Sequence, residues 1–254
     1  MERTNNIYDK IQEILGSIPG NLSILEQQID ADIQLEYYNC AKSLEEDLNP
    51  DEVLRKKDLL FMKDLALDEK KLLIVQLAGI DNIEAYRTLE KFLGGPEMIL
   101  KEWTTLALQE NKLLLESKLL DESQVLISTG LGGKGLKLRY FTVFLSRTCK
   151  NFTAFEQRIL SSEISYAIKK CGGELEHMKF DRELCRILTI IPLPIPVQDL
   201  FDKLIEECNQ YGDFINRDYI ITNVKVFDSA EIRKFIRNKR IKKTPPGAGY
   251  SGQA

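Results

Sequence analysis

The chain has 254 residues, of which 43% are hydrophobic and 29% charged, and its formal net charge is −4. This composition is ordinary for a globular protein that builds its own hydrophobic core, and the length suits one large domain or two ordinary ones. Its longest apolar runs are far shorter than the ~20 residues that a membrane-spanning helix needs, which excludes a transmembrane segment.

Five cysteines are scattered along the chain: Cys40, Cys149, Cys171, Cys185 and Cys208. Their odd number and wide spacing lack the close pairs that a disulfide framework or a zinc site uses. The N-terminal residues are polar and mixed in charge, without the apolar segment of a secretory signal. We therefore expect reduced thiols in a cytoplasmic protein.

The net charge conceals an asymmetry between the body of the chain and its C-terminal end. Residues 233–243 carry seven Lys or Arg side chains and no acid, so the net charge of −4 leaves −11 for the rest of the chain. Blocks of like charge at a chain end are often interaction tails.

Apolar side chains recur at helical spacing through the first half of the chain. Asn49 followed by Pro50 is a typical helix start, because Asn caps the first turn and Pro is tolerated at the first helical position. The other predicted helices cover residues 5–16, 23–44, 67–78, 83–93, 96–109 and 112–119.

Two of these helical segments resemble each other in their apolar spacing. Placing Asp68–Ala78 on Glu97–Ala107, at an offset of 29 residues, aligns Leu77 with Leu106 and Ile74 with Trp103. Helix pairs that repeat at about this length are typical of α-solenoids, so residues 58–120 resemble HEAT-like repeats. The resemblance implies a surface that docks protein partners, and an irregular helical bundle is the alternative arrangement.

In the second half of the chain, the spacing of apolar side chains alternates in several segments, as in strands, and is helical in others. Residues 136–146, 174–180, 185–192 and 219–227 read as strands. Thr153 and Glu156 form a capping box that opens a helix after the first strand, and a second helix follows Pro196. The order β-α-β-β-α-β is the split βαβ arrangement, so residues 136–228 resemble ferredoxin-like domains.

These patterns predict an α+β fold in three parts. An N-terminal all-helical, HEAT-like region covers residues 1–122. A Gly-rich hairpin with the ferredoxin-like α+β domain covers residues 123–228. A basic helix and a disordered, Pro/Gly-rich tail cover residues 229–254.

The densest glycine cluster, Gly130-Leu-Gly-Gly-Lys-Gly135, matches G-x-G-x-x-G by letter alone. A dinucleotide fingerprint needs a helix directly after the glycines, because the pyrophosphate rests on that helix's N-terminal N–H groups. Here a strand follows instead. A P-loop is excluded as well, because Lys134 is followed by Gly135 rather than by Ser or Thr.

The remaining interpretation of the cluster is a hairpin that binds phosphate. Unhindered backbone N–H groups and nearby cations can hold a phosphate from a nucleotide or from an RNA backbone. The alternatives are a mobile hairpin or interdomain hinge, for which glycine supplies positive φ, and docking of a partner protein. The candidate phosphate-binding residues are Gly130, Gly132, Gly133, Lys134, Gly135, Lys137 and Arg139.

A basic helix is predicted over residues 229–243, capped by Asp228 or Ser229. A short basic extension on an acidic body resembles those that reach RNA phosphates in ribonucleoprotein particles. The alternatives are contact with an anionic membrane surface and a terminal helix whose charges are only solvated. The candidate RNA-binding residues are Arg233, Lys234, Arg237, Lys239, Arg240, Lys242 and Lys243.

The sequence gives little evidence for a catalytic site or a metal site. The single histidine, His177, would have to serve any Ser-His or Cys-His site alone. No C-x-x-C or H-x-x-x-H spacing is present, and the acidic clusters suit solvated helix faces. We expect no catalytic residue, no metal and no cofactor.

The leading hypothesis is a non-catalytic binding or adaptor protein that contacts RNA or a ribonucleoprotein assembly such as the ribosome. The helical region would dock protein, while the hairpin cations and the basic end would contact phosphates. Tyr140 and Phe141 would stack on bases, as strand aromatics of ferredoxin-like sheets often do. The alternatives are an enzyme or regulator that binds a small phosphorylated ligand at Gly130–Gly135, and a pure protein scaffold.

Overall fold

The computed structural model describes residues 21–44, 48–122 and 124–243, with side chains up to residue 237. Within these residues the chain forms an α+β fold. The helices are α1 (Ala31–Lys42), α2 (Pro50–Lys56), α3 (Leu67–Ala78), α4 (Ile83–Leu93), α5 (Lys101–Leu120), α6 (Ala154–Lys170), α7 (Val197–Asn209) and α8 (Ser229–Lys243), with short 3-10 turns at Lys57–Phe61 and Met98–Leu100. The strands are β1 (Leu22–Ile24), β2 (Val125–Ile127), β3 (Gly133–Lys134), β4 (Lys137–Leu145), β5 (Glu174–Asp181), β6 (Leu184–Pro192) and β7 (Ile220–Thr222). The helix predicted at residues 5–16 and the tail at 244–254 lie outside the described residues.

Helices α1 to α5 enclose one hydrophobic core, in which α5 packs against both α3 and α4. Helices α3 and α4 begin and end where the sequence predicts. The predicted cap of α2 is also confirmed, because the side chain of Asn49 accepts hydrogen bonds from the backbone N–H groups of Asp51 and Glu52.

The predicted helix over residues 23–44 is wrong in its first turns. Strand β1 occupies the beginning of that segment and pairs in parallel with β2, and α1 begins only at Ala31. Asp30 fixes this start, because its carboxylate accepts a hydrogen bond from the backbone N–H of Asp32 at 2.8 Å.

The segment around β1 contributes to two cores. Leu22 and Ile24 are buried in the core between the large sheet and its helices. Leu25 and Ile29 are buried in the helical core. Because this stretch enters both cores, it packs the two halves of the chain together.

Residues predicted as two helices, 96–109 and 112–119, form the single helix α5 after a short 3-10 turn. Asn111, midway along α5, is fully buried. Its side-chain amide donates hydrogen bonds to the carbonyl oxygens of Leu77, Ala78 and Ile80, at 3.1, 3.0 and 2.7 Å. These carbonyls lie at and just beyond the C-terminus of α3, where a helix leaves its acceptors without intrahelical donors.

Asn111→Leu is therefore expected to lower the free energy of unfolding by about 2 kcal/mol, because it leaves buried carbonyls without a donor. The melting temperature should fall by about 4 to 8 °C. The control is Lys112→Leu at the adjacent exposed position, which should stay within about 0.5 kcal/mol of the unchanged protein. Equal losses in the two variants, measured by thermal unfolding, would contradict this role of Asn111.

The larger sheet is antiparallel, with the order β7–β4–β6–β5. Strand β3 also pairs with β4, beside β7 and on the side away from β6. Strand β5 pairs only with β6 among the described residues, so it forms one edge of the sheet. The last predicted strand, 219–227, is shorter than expected, because β7 ends at Thr222.

The two faces of this sheet are covered differently. Helices α6 and α7 pack on one face, here called the inner face. The capping box predicted at the start of α6 is confirmed, because Thr153 and Glu156 exchange hydrogen bonds between side chain and backbone. The opposite, outer face is covered in part by Ile232 of α8 and carries Phe141, Val143, Leu145, Leu184 and Ile220.

No helix among the described residues is both long and apolar enough to cross a membrane. Helix α5 is the longest of them, and lysines and glutamates recur along it.

Candidate nucleic-acid interface

The glycine cluster forms the β3–β4 hairpin and the segment that leads into it. Gly132 and Gly135 both have positive φ, +66° and +56°. A Cβ atom at Gly132 would lie 2.5 Å from the carbonyl oxygens of Glu26 and Gln27, and one at Gly130 would lie 1.8 Å from that of Val224. Gly133 likewise approaches the backbone of the hairpin's second strand. The glycines therefore allow close approach of backbone segments, and only Gly135 has open space around it.

The hairpin cations are paired with carboxylates at the start of β5. Lys134 and Lys137 lie 2.8 and 3.3 Å from the two carboxylate oxygens of Glu174. Arg139 donates two hydrogen bonds to Glu176, at 2.6 and 2.9 Å. The hydrogen bond to Glu174 raises the pKa of Lys134, and the two lysines lower the pKa of Glu174.

A third carboxylate binds the tip of the hairpin. The backbone N–H of Gly135 donates to Glu26 at 2.9 Å. The three cations thus pair with Glu174 and Glu176, and the N–H at the tip pairs with Glu26. A phosphate would have to displace these partners. Phosphate binding by the hairpin stays a prediction, and no contact among the described residues favours it over the internal pairing.

Helix α8 starts at a reciprocal cap, which confirms the predicted beginning of the basic helix. The carboxylate of Asp228 accepts hydrogen bonds from the backbone N–H groups of Ala230 and Glu231, at 2.7 and 2.8 Å. The side chain of Glu231 accepts from the backbone N–H of Asp228 at 2.9 Å. These backbone donors, chiefly that of Glu231, lower the pKa of Asp228.

Ile232 anchors α8 to the outer face, where its side chain is fully buried. Arg233, Lys234 and Arg237 are exposed, and no ion pair among the described residues engages them. The backbone of α8 includes Lys239, Arg240, Lys242 and Lys243, whose side chains lie outside the description. No described hydrogen bond or ion pair joins the hairpin cations to those of α8.

The stacking role predicted for Tyr140 and Phe141 is wrong, because both residues are buried. Tyr140 lies in the inner-face core, and burial raises its pKa to about 12. Phe141 lies in the outer-face core together with Ile232 and packs edge-on against Phe227, with ring centroids 6.3 Å apart.

Sequence reasoning missed Glu174 and Glu176 as partners of the hairpin cations. Strand alternation could have placed both carboxylates on one face of β5. Their pairing with residues 134–139 depends on the β5–β6 and β6–β4 registers, which bring together segments about 37 to 40 residues apart.

Reactive groups are sparse in the described part of the chain. His177 is exposed on β5. Cys185 and Cys208 are fully buried, and burial raises both thiol pKa values to about 12, so neither is a ready nucleophile near neutral pH. No group of three or more His, Cys, Asp or Glu side chains in the described ranges is placed to hold a metal ion.

Helices α6 and α7 border a groove of about 610 Å³. The residues that line it include Ala167, Lys170, Asp199, Leu200 and Leu204. The groove lies on the inner-face helices, on the opposite side of the sheet from α8.

No protein-family model matches this chain, and no curated protein matches it either. Among solved structures, the chain is similar to the crystal structure of a putative transposase from Deinococcus radiodurans, with 14% sequence identity and a TM-score of 0.35. The match covers 41% of this chain and 91% of that one. A likeness at these values carries no argument about function.

Proposed function

We propose that this protein is a non-catalytic binding protein that contacts RNA, alone or in a ribonucleoprotein assembly, through α8. The observation that carries the proposal is the set of exposed cations Arg233, Lys234 and Arg237 on a helix fixed by its cap and by Ile232. The hairpin cations, by contrast, already have carboxylate partners.

Electrostatics supports confining the contact to this end of the molecule. Outside residues 233–243 the chain carries a net charge of −11, so its other surfaces repel a polyanion on average. Phosphate contacts of Lys and Arg supply affinity and position without reading sequence. The partner would therefore be chosen by shape or by the assembly that carries the RNA.

The proposal also includes a ferredoxin-like arrangement for the second half of the chain and a protein-docking role for the helical region. The strand order β7–β4–β6–β5, antiparallel throughout, and the placement of α6 and α7 on one face support a ferredoxin-like arrangement for residues 124–228. In the helical region, exposed side chains of Met98, Ile99, Leu119 and Leu120 support docking of a protein partner, in a HEAT-like arrangement or in an irregular bundle.

The proposal is tested with a variant that changes Arg233, Lys234 and Arg237 to Gln in the 254-residue chain. The probe is a fluorescein-labelled single-stranded oligouridylate of about 20 nucleotides, longer than the roughly 4 to 16 that one single-strand-binding module covers. The affinity, measured by fluorescence anisotropy, is expected to fall at least about tenfold. The slope of log K against log salt should flatten by about 2, because each phosphate contact to a single strand contributes about 0.7.

The matched control changes three exposed lysines away from α8, Lys150, Lys169 and Lys203, to Gln. It removes the same charge and should leave affinity and slope nearly unchanged. In low-salt cell extract, the unchanged protein should also co-sediment with ribosomes or other RNA particles, and the α8 variant should not.

Three results would overturn the proposal. They are no binding by the unchanged protein, an equal loss in the control variant, or protein that stays at the top of the gradient. A nucleotide-induced rise in melting temperature that Lys134→Ala abolishes, and the α8 variant keeps, would instead support a small phosphorylated ligand at the hairpin.

A further inference from the structure

We infer that the RNA-binding surface is a trough between α8 and the outer face of β5, and that Lys179 and His177 on β5 complete it. The occupant is a single RNA strand. This inference rests on the proposed function and adds two binding residues to it.

Two contacts fix how α8 lies on the outer face. The side chain of Glu231 pairs with Lys225, which follows β7, so one flank of the helix faces the β7 side of the sheet. The hydroxyl of Ser229 accepts a hydrogen bond from the guanidinium of Arg186, on β6, at 2.7 Å. The opposite flank of α8 therefore faces β6 and the edge beyond it.

Helical spacing places the exposed arginines on that second flank. Arg233 and Arg237 follow Ser229 by four and eight residues, and residues four apart lie on the same side of a helix. Glu231 stands on the other flank, and Ile232 points to the sheet. The two arginines thus border the space above β6 and β5.

The register of the sheet places two further side chains on the other border. Lys179 is opposite Arg186, and His177 is opposite Leu188, directly after a register shift between Leu175 and His177 that interrupts the alternation of faces along β5. Arg186 contacts α8 and Leu188 packs against the outer-face core, so their partners on β5 project from the same face. Both Lys179 and His177 are exposed.

The acidic side chains of β5 are already engaged, and the first of them, Glu174, pairs with Lys134 and Lys137. Asp181 accepts a hydrogen bond from Arg186 at 2.7 Å, and Glu176 binds Arg139. No ion pair among the described residues engages Lys179 or His177. The trough therefore has cations on both borders, which complements the phosphates of a strand lying along it.

Lys179 and His177 have distinct roles in this trough. The ammonium of Lys179 contacts a phosphate as a point charge. The ring of His177 offers a flat face on which an unstacked base can lie. This face replaces the stacking surface that burial removes from Phe141.

Lys179→Gln and His177→Ala separate these roles in the anisotropy assay with the same labelled oligouridylate. Lys179→Gln should weaken binding severalfold and flatten the salt slope by about 0.7. His177→Ala should weaken binding about five- to tenfold and leave the slope unchanged, because base stacking is sequence-tolerant and carries no counterion release. His177→Phe should retain the affinity.

Lys203→Gln, at an exposed site on α7, is the matched control for Lys179→Gln. Losses of affinity in Lys179→Gln and His177→Ala that are absent from Lys203→Gln, with melting temperatures unchanged and with the α8 variant also weakened, support the trough. If the α8 variant loses affinity while Lys179→Gln and His177→Ala do not, the trough is refuted and the proposed function stands. If the unchanged protein does not bind the oligonucleotide, both fail.

Discussion

Gly130→Ala is expected to lower the free energy of unfolding by about 3 kcal/mol or more, which is the upper range for overpacking a closed site. The added Cβ would lie 1.8 Å from the carbonyl oxygen of Val224, an atom of the backbone that cannot rotate away. Relief would require the two segments to separate, which would break the hydrogen bond from the N–H of Leu131 to the carbonyl of Asn223, at 3.0 Å.

The matched control is Gly135→Ala in the same cluster. Gly135 has φ +56°, and no atom of the described residues lies within 4 Å of a built Cβ, so the substitution should cost only about 1 kcal/mol for the left-handed backbone. Denaturant unfolding of both variants measures the difference. Equal costs would show that the cluster serves backbone conformation alone, without close packing against residue 224.

The second large effect concerns an ion pair of the helical region whose lysine is buried. Lys70 of α3 is only 4% exposed, and its ammonium pairs with Glu97 in the loop before α5. Glu97→Ala is expected to cost about 3 to 4 kcal/mol, because it leaves a buried cation without its partner. The double variant Lys70→Met/Glu97→Ala should recover most of that loss, since a methionine fills the volume without a charge.

The neighbouring lysine supplies the control for this cycle. Lys71 pairs with Glu36, whose side chain is 58% exposed, at 2.7 Å. Glu36→Ala should cost less than about 1 kcal/mol, as is usual for an exposed pair. A double variant no more stable than Glu97→Ala alone would refute the buried-charge explanation and leave packing by Glu97 itself as the cause.

Local signals in the sequence were sufficient to predict the boundaries of those helices whose ends depend only on neighbouring residues. Helices α3 and α4 follow apolar periodicity to the residue. The capping box of Thr153 and Glu156 needs only residues three apart, and Asp228 caps α8 in the same way. In each case the hydrogen bonds that decide the boundary close within one turn.

Long-range contacts decide the features that the sequence did not reveal. Leu22–Ile24 have apolar spacing that suits a helix as well as a strand, and pairing with β2, about a hundred residues later, selects the strand. Asn111 resembles a helix-interrupting residue until its three distant carbonyl partners are known. The cluster Gly130–Gly135 offers glycine for conformation or for close approach, and only the neighbouring backbone distinguishes the two.

The stretch from Leu22 to Ile29 has a consequence for how the protein behaves as a unit. Because side chains of this one stretch complete both hydrophobic cores, loosening either core withdraws apolar contacts from the other. We therefore expect the two halves to melt in a single cooperative transition, although their secondary structures differ. The same sharing restricts evolution, because neither half can be transferred to another protein as a module without taking this strand with it.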